Sequence, residues 1–363
     1  MSDINTNQPS GNSDNTSQPV AKKKSGMRKV FLFLLTCAVL ALLAVYFVIY
    51  APNTTVSQKT PFYIHTGSKY QDVLNTLESK GLIRSMTTFK IVARRMNYPK
   101  HIKPGKYMLL PGMGNHRLLQ MLRSGKQEPV VLVFNNIRTK QEFASRISLQ
   151  LEADSVSLLN DLNNNAFMKK YGLNKENALT LFIPNSYQLW WNTTPDEFFE
   201  RMAKENKHFW NKERLDKAAA IKLKPAQVVI LASIVEKESN KNDEKPVIAG
   251  VYLNRLKKGM LLQADPTLVF AWNDFTIHRV LNVHKNINSP YNTYKYKGLP
   301  PGPIYLPDSK SIDAVLNFTH HNYLYFCAKE DFSGYHNFAS TPEAHHINAE
   351  KYQKALDAHN IKK

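Results

Sequence analysis

Disulfides cannot organise this chain. It holds two cysteines, and Cys37 lies inside an apolar run, which leaves Cys327 without a partner. No CxxC pair offers a zinc site. Histidine is plentiful, but His320-His321 and His345-His346 are sequence neighbours, and the HExxH spacing of a metalloprotease is missing. A metal site is therefore not expected. Ser233 lacks a GxSxG elbow, and Glu236 stands where an SxxK enzyme carries lysine, so serine catalysis is not supported either. No internal repeat stands out. Acidic residues are scarce beside basic ones: 29 Asp and Glu face 48 Lys and Arg, a net charge of +19.

What the chain has in abundance is one uncharged stretch. Residues 30–50, VFLFLLTCAVLALLAVYFVIY, contain no charge, Pro or Gly. At about 1.5 Å per residue a helix of that length crosses a hydrocarbon core of roughly 30 Å. A cleaved signal peptide would have a shorter apolar core and small residues at its end, whereas this run closes on YFVIY. Lys22, Lys23, Lys24, Arg28 and Lys29 precede it, and the first charge afterwards is Lys59. The positive-inside rule then puts residues 1–29 in the cytoplasm and the rest outside the cytoplasmic membrane. The first 29 residues hold five Lys and Arg and two Asp, a balance of +3, which leaves +16 for the remainder. A basic domain facing away from the cytoplasm meets little nucleic acid. Anionic headgroups or an acidic wall polymer are the better-matched partners.

Residues 1–26 are Asn, Ser, Gln, Thr and Asp with few bulky apolar side chains, and 1–29 read as a disordered tail. Beyond the span, a strand at 62–65, helices at 69–80 and 86–96, a strand after Pro104-Gly105 and a helix ended by Gly125 form a small α+β module over 51–127. Residues 128–363 read as a larger mixed α+β domain. They hold a strand at 129–134, a helix at 139–150, an amphipathic helix at 198–210, and a helix opened by Pro225.

That last helix is nearly all apolar until it ends in VEKES. Glu236 and Glu238 are about 200° apart on a helical wheel. Glu238 shares its stripe with Gln227, Leu231, Ile234 and Val235, and Glu236 falls with Val229, Ala232 and Ser233. The pattern has two readings. Buried, Glu238 is the more desolvated carboxyl, its pKa raised so that it can serve as a general acid. Otherwise both are solvated charges marking a helix end, and spacing alone does not choose.

Two further clusters lie downstream. In residues 254–267, NRLKKGMLLQADPT, Gln263 and Asp265 alternate with apolar neighbours, and Pro266 is expected to stop the preceding element. Residues 289–303, SPYNTYKYKGLPPGP, place Tyr291, Tyr294 and Tyr296 around Asn292. Rings that stack on apolar sugar faces, interspersed with amides that bond hydroxyls, suit a saccharide. Turn-forming loops share this composition.

LASIVEKES, VYLNRLKKGMLLQADPT, YNTYKYKGLPPGPI and YLYF, in this order, resemble the endolytic murein transglycosylases of the YceG-like family. The likeness covers nearly everything after the tail and is strongest over 228–339. It implies a single membrane anchor, a LysM-like module and an α+β catalytic domain. The family's acid corresponds to Glu238, with Glu236, Gln263, Asp265, Asn292 and Tyr294 as substrate-binding or supporting residues. It implies endolytic cleavage of peptidoglycan strands without cofactor, leaving 1,6-anhydro ends, beside peptidoglycan synthases. Asn185, in FIPNSY, stands where relatives often carry Asp. Two other classes stay open: a hydrolytic muramidase with Asp265 as second carboxylate, and a non-catalytic protein that binds the wall.

Overall fold

The computed structural model describes residues 25–277 and 279–359. The expected disorder of residues 1–24 lies outside them. From Ser25 to Tyr50 the chain is one α-helix. Residues 25–29, expected in the tail, are therefore helical: Met27, Arg28 and Lys29 are good helix formers and extend the helix N-terminal to the uncharged run. The helix is long and apolar enough to cross a membrane, and the span Gly26–Tyr50 is not buried in the protein. Its C-terminal end is fastened to the first module. Asn115 Nδ2 donates to the Val48 carbonyl at 2.9 Å. Gly114 lies so close to the helix end that a Cβ there would come within 2.4 Å of the Tyr50 carbonyl oxygen.

This module runs strand, helix, helix, strand, helix. Thr60–Ile64 pairs antiparallel with Gly105–Leu109, Phe62 opposite Tyr107. Tyr70–Ser79, Met86–Arg95 and Asn115–Ser124 cover the pair with Val73, Leu77, Phe89, Leu118 and Leu122, all buried. Gly125 ends the last helix at φ 74°, a left-handed conformation that costs glycine little. Glu152 of the next unit reaches back to this module, accepting from the Thr66 amide at 2.8 Å and the Thr66 hydroxyl at 2.7 Å.

Two cores fill the rest. The first surrounds Phe134, Phe143, Phe182, Phe198 and Phe199, between the antiparallel pair Val130–Val133 with Ser186–Leu189 and the helices Lys140–Ser148, Ser155–Asn163 and Pro195–Phe209. Pro195–Phe209 begins where Thr194 and Glu197 cap each other reciprocally, Glu197 Oε2 accepting from the Thr194 amide at 2.9 Å. The second core is built on Pro225–Glu238, Lys245–Lys257 and Ser309–Leu316. A hairpin of Tyr325–Ala328 and His336–Ala339 closes it, and the helix Pro342–Ala358 comes last. Pro266, expected to end an element, instead sits in the first turn of the helix Asp265–Trp272. Proline is tolerated there because its missing N–H has no intrahelical acceptor to lose.

Candidate active site

Val228 through Val235 are all buried, which explains why the helix Pro225–Glu238 is apolar all round. Ser233 donates to the Ile230 carbonyl at 2.6 Å and accepts from the Ile304 amide at 3.1 Å, so it ties the Pro- and Gly-rich loop to the helix. Both carboxyls fall at the helix C-terminus, the negative end of its dipole, where anions are disfavoured. The chain compensates each differently. Glu236 is held by Lys245 Nζ at 3.3 Å and by the Ser311 hydroxyl, with both charged side chains largely buried.

Glu238 has no such cation. Tyr252, on the facing helix Lys245–Lys257 and almost fully buried, donates to its Oε1 at 2.5 Å. Burial pushes the Glu238 carboxyl from the ordinary 4.5 up to about 7. The Tyr252 hydrogen bond and Arg255 oppose that rise, and the neighbouring Asp265 charge adds to it. Burial and the same carboxylate hold the Tyr252 hydroxyl well above its usual range, so it remains a donor. The result is an acid that keeps its proton near neutrality while facing open space.

That space consists of two adjoining cavities that share Glu238 and Asp265. One, of about 360 Å³, is lined by Tyr252, Arg255, Gln263, Tyr294, Tyr325 and His345. The other, of about 470 Å³, is lined by Arg138, Lys237, Val269, Phe275, Arg279 and Ile304 among others. The acid therefore sits at the junction of a through-groove rather than at the bottom of a closed pocket. This shape suits a chain held on both sides of the reacting bond.

The residues expected around Glu238 divide. Gln263 and Asp265 are exposed on the groove, and Tyr294 donates to Asp265 Oδ1 at 2.5 Å. Burial and that carboxylate push the Tyr294 hydroxyl well up, again fixing it as a donor. Thr293 joins the two sequence clusters: its carbonyl accepts from the Gln263 amide at 3.1 Å and its hydroxyl from the Ala264 amide at 3.0 Å. Asn292 stands apart from the cavity. It is fully buried, donates to the Lys285 and Ile287 carbonyls, and accepts from the Tyr294 amide at 3.0 Å. It shapes the loop that presents Tyr294. Glu236 also lies off the cavity walls, engaged with Lys245 and Ser311.

Several residues here escape the sequence reading. Tyr252 and Arg255 are one helical turn apart, on a helix whose Ile248, Ala249 and Val251 are buried, and a polar pair at that spacing is the signal that could have found them. Arg255 is buried and donates to the carbonyls of Leu324 at 2.6 Å and Leu262 at 2.7 Å, fixing the walls of the smaller cavity. Arg138, Tyr325 and His345 come from distant segments and carry no local pattern. Among the described residues no cluster of His, Cys, Asp and Glu could hold a metal.

The YceG-like family model matches residues 62–351. This chain belongs to the YceG-like family. An endolytic murein transglycosylase of Streptococcus pneumoniae is 28% identical over 323 residues, covering 80% of this chain and 57% of the relative. One from Bacillus subtilis is 41% identical over 126 residues, 35% of this chain and 34% of the relative. The chain thus spans a little over half the length of the pneumococcal relative. A crystal structure of a YceG-like protein from Listeria monocytogenes superposes with a TM-score of 0.55 at 28% identity, over 80% of this chain and 99% of that one.

Proposed function

We propose that this YceG-like protein is a membrane-anchored, endolytic lytic transglycosylase of peptidoglycan, a lyase with Glu238 as its single acid and base. The observation that carries the reading is the desolvated Glu238 carboxyl, pushed up to about 7, at the junction of an open groove. Two relatives named endolytic murein transglycosylases support it. Glu238 gives its proton to the glycosidic oxygen as the bond from C1 of N-acetylmuramic acid breaks. The C6 hydroxyl of the same sugar attacks C1, and its proton passes to the Glu238 carboxylate, leaving a 1,6-anhydro end. The attack is intramolecular, so effective concentration replaces a second catalytic carboxyl. Asp265, held by Tyr294, offers negative charge beside the cation that develops at C1. Cleavage near the membrane would trim or terminate new strands beside peptidoglycan synthases. The strand–helix–helix–strand module over 51–127 serves as a LysM-like wall-binding unit.

Mass spectrometry of digested glycan strands tests this directly: fragments must end in 1,6-anhydro-muramic acid. Hydrated reducing ends would mean hydrolysis. Asp265 would then be the base activating water, a reading favoured by its place in both cavities with Glu238. The same assay has a defined pH response. Leaving-group protonation needs the neutral acid, so kcat/KM should fall above about pH 7 by about tenfold per unit. A rate that climbs steadily from about pH 6 to about pH 9 would remove Glu238 as the acid.

The anchor carries its own prediction. With residues 1–29 inside and 51–363 outside, a reporter fused after Lys363 is active only if it works outside the cytoplasm. Activity of a cytoplasm-only reporter at that site reverses the orientation and removes the substrate.

A further inference from the structure

The two cavities that meet at Glu238 differ in chemistry. The smaller one offers tyrosine hydroxyls and the Gln263 amide, groups that bond sugar hydroxyls. The larger one mixes the apolar Val269, Phe275 and Ile304 with the cations Arg138, Lys237 and Arg279. These cations are not consumed internally. Among the described residues neither Arg138 nor Lys237 forms an ion pair with a carboxylate. The Arg138 guanidinium lies 4.5 Å from the centre of the Phe275 ring, and Lys237 Nζ lies 4.8 Å from that of Tyr305. Both are held by rings, which fix a cation without neutralising it. Desolvation and then the nearby Arg138 charge lower the Lys237 pKa, outweighing the opposing pull of the Glu236 carboxylate, which is itself engaged by Lys245 and Ser311. Neither cation contributes to the acidity of Glu238, which answers to burial, Tyr252, Asp265 and Arg255.

Arg138 is brought here by a dedicated contact. Leu306 donates from its amide to the Ile137 carbonyl at 2.8 Å, and the Tyr305 hydroxyl donates to Asn136 Oδ1 at 2.6 Å. The phenylalanine-rich core thereby supplies one wall of a groove whose acid belongs to the other core.

We propose that the cavity bounded by Arg138, Lys237 and Arg279 binds the carboxylate-bearing peptide stem of the muramic acid being cleaved, the sugars lying along the Tyr294 side. This rests on the transglycosylase reading and names what its substrate must carry. The stem hangs from C3 of the ring whose C1 bond breaks, so it leaves the strand beside Glu238. A short peptide of small side chains and free carboxylates matches a cavity that is part apolar and part cationic. Guanidinium and ammonium groups bind such carboxylates by charge-assisted hydrogen bonds.

The test compares three substrates: uncrosslinked strands with intact stems and free carboxylates, the same strands after an amidase has removed the stems, and stemless strands that keep a lipid-linked pyrophosphate. Binding is measured on Glu238→Gln protein, which does not turn over, and cleavage on the wild type. Intact strands should bind at least about tenfold tighter than stemless ones. The double substitution R138Q/K237Q should collapse that ratio toward one, and R138K/K237R should retain most of it. Each single substitution should lower the ratio partway, a check against damage to the fold. The stem assignment is overturned if the ratio survives R138Q/K237Q, if it is absent from the start, or if only pyrophosphate-bearing strands respond. Failure of the wild type to cleave any strand would sink the transglycosylase reading, while the binding ratio would still judge the stem site.

Discussion

Replacing Glu238 with Gln should lower glycan cleavage by roughly 10²–10⁴-fold, while strands still bind and the protein still folds. Gln keeps the shape of the side chain and can still accept from the Tyr252 hydroxyl, 2.5 Å from Glu238 Oε1. It cannot release a proton to a leaving oxygen. The same substitution has a thermodynamic signature. With its carboxyl raised from 4.5 to about 7, folded Glu238 holds a proton through that interval which the unfolded chain has lost. That contribution to stability is complete below 4.5 and disappears as pH rises through about 7. Gln carries no such dependence, so the melting temperature of Glu238→Gln relative to wild type should increase between about pH 5 and about pH 8. An active variant, or a difference that is flat or opposite with pH, would mean that Glu238 is neither desolvated nor the acid.

How far the sequence reveals this site depends on whether the relevant contact is local. The burial around Glu238 is legible, because eight successive apolar or small residues on one helix can be satisfied only inside a core. The partner that bonds its carboxyl is not. Tyr252 meets it through the packing of two helices, 14 positions along the chain. The polar–aromatic composition of 289–303 correctly marks a loop at the groove, but not which residues face it. Tyr294 is half-buried and reaches Asp265, whereas Asn292 turns all its amide bonds into the loop. An amide that binds sugar and one that braces a turn have the same letter and neighbours. Pro266 shows a similar ambiguity, since proline both stops helices and opens them. The strand–helix–helix–strand order of the first module is easier to read, its apolar residues repeating at two clear periods. Arg138 lies beyond reach altogether, because two separately folded cores meet to bring it beside the acid.

The second large effect concerns the other glutamate. Lys245→Met should destabilise the protein by about 3–5 kcal/mol at neutral pH, the usual consequence of removing one partner from a buried ion pair. Lys245 is 4% and Glu236 18% exposed at the side chain, so water screens the pair little. Without the ammonium, Glu236 would keep only the Ser311 hydroxyl at the negative end of its helix. The double variant E236Q/K245M should recover most of the loss, because a neutral amide can still accept from Ser311 and leaves no stranded charge. Glu236→Gln alone should cost cleavage far less than Glu238→Gln, since its carboxylate is taken up by structure. Urea unfolding of the four proteins closes the cycle. If Lys245→Met melted like wild type while Glu236→Gln lost cleavage as fully as Glu238→Gln, then Glu236 would be a reacting group. The division of labour between the two carboxyls, one braced by a cation and one kept neutral by burial, would have to be given up.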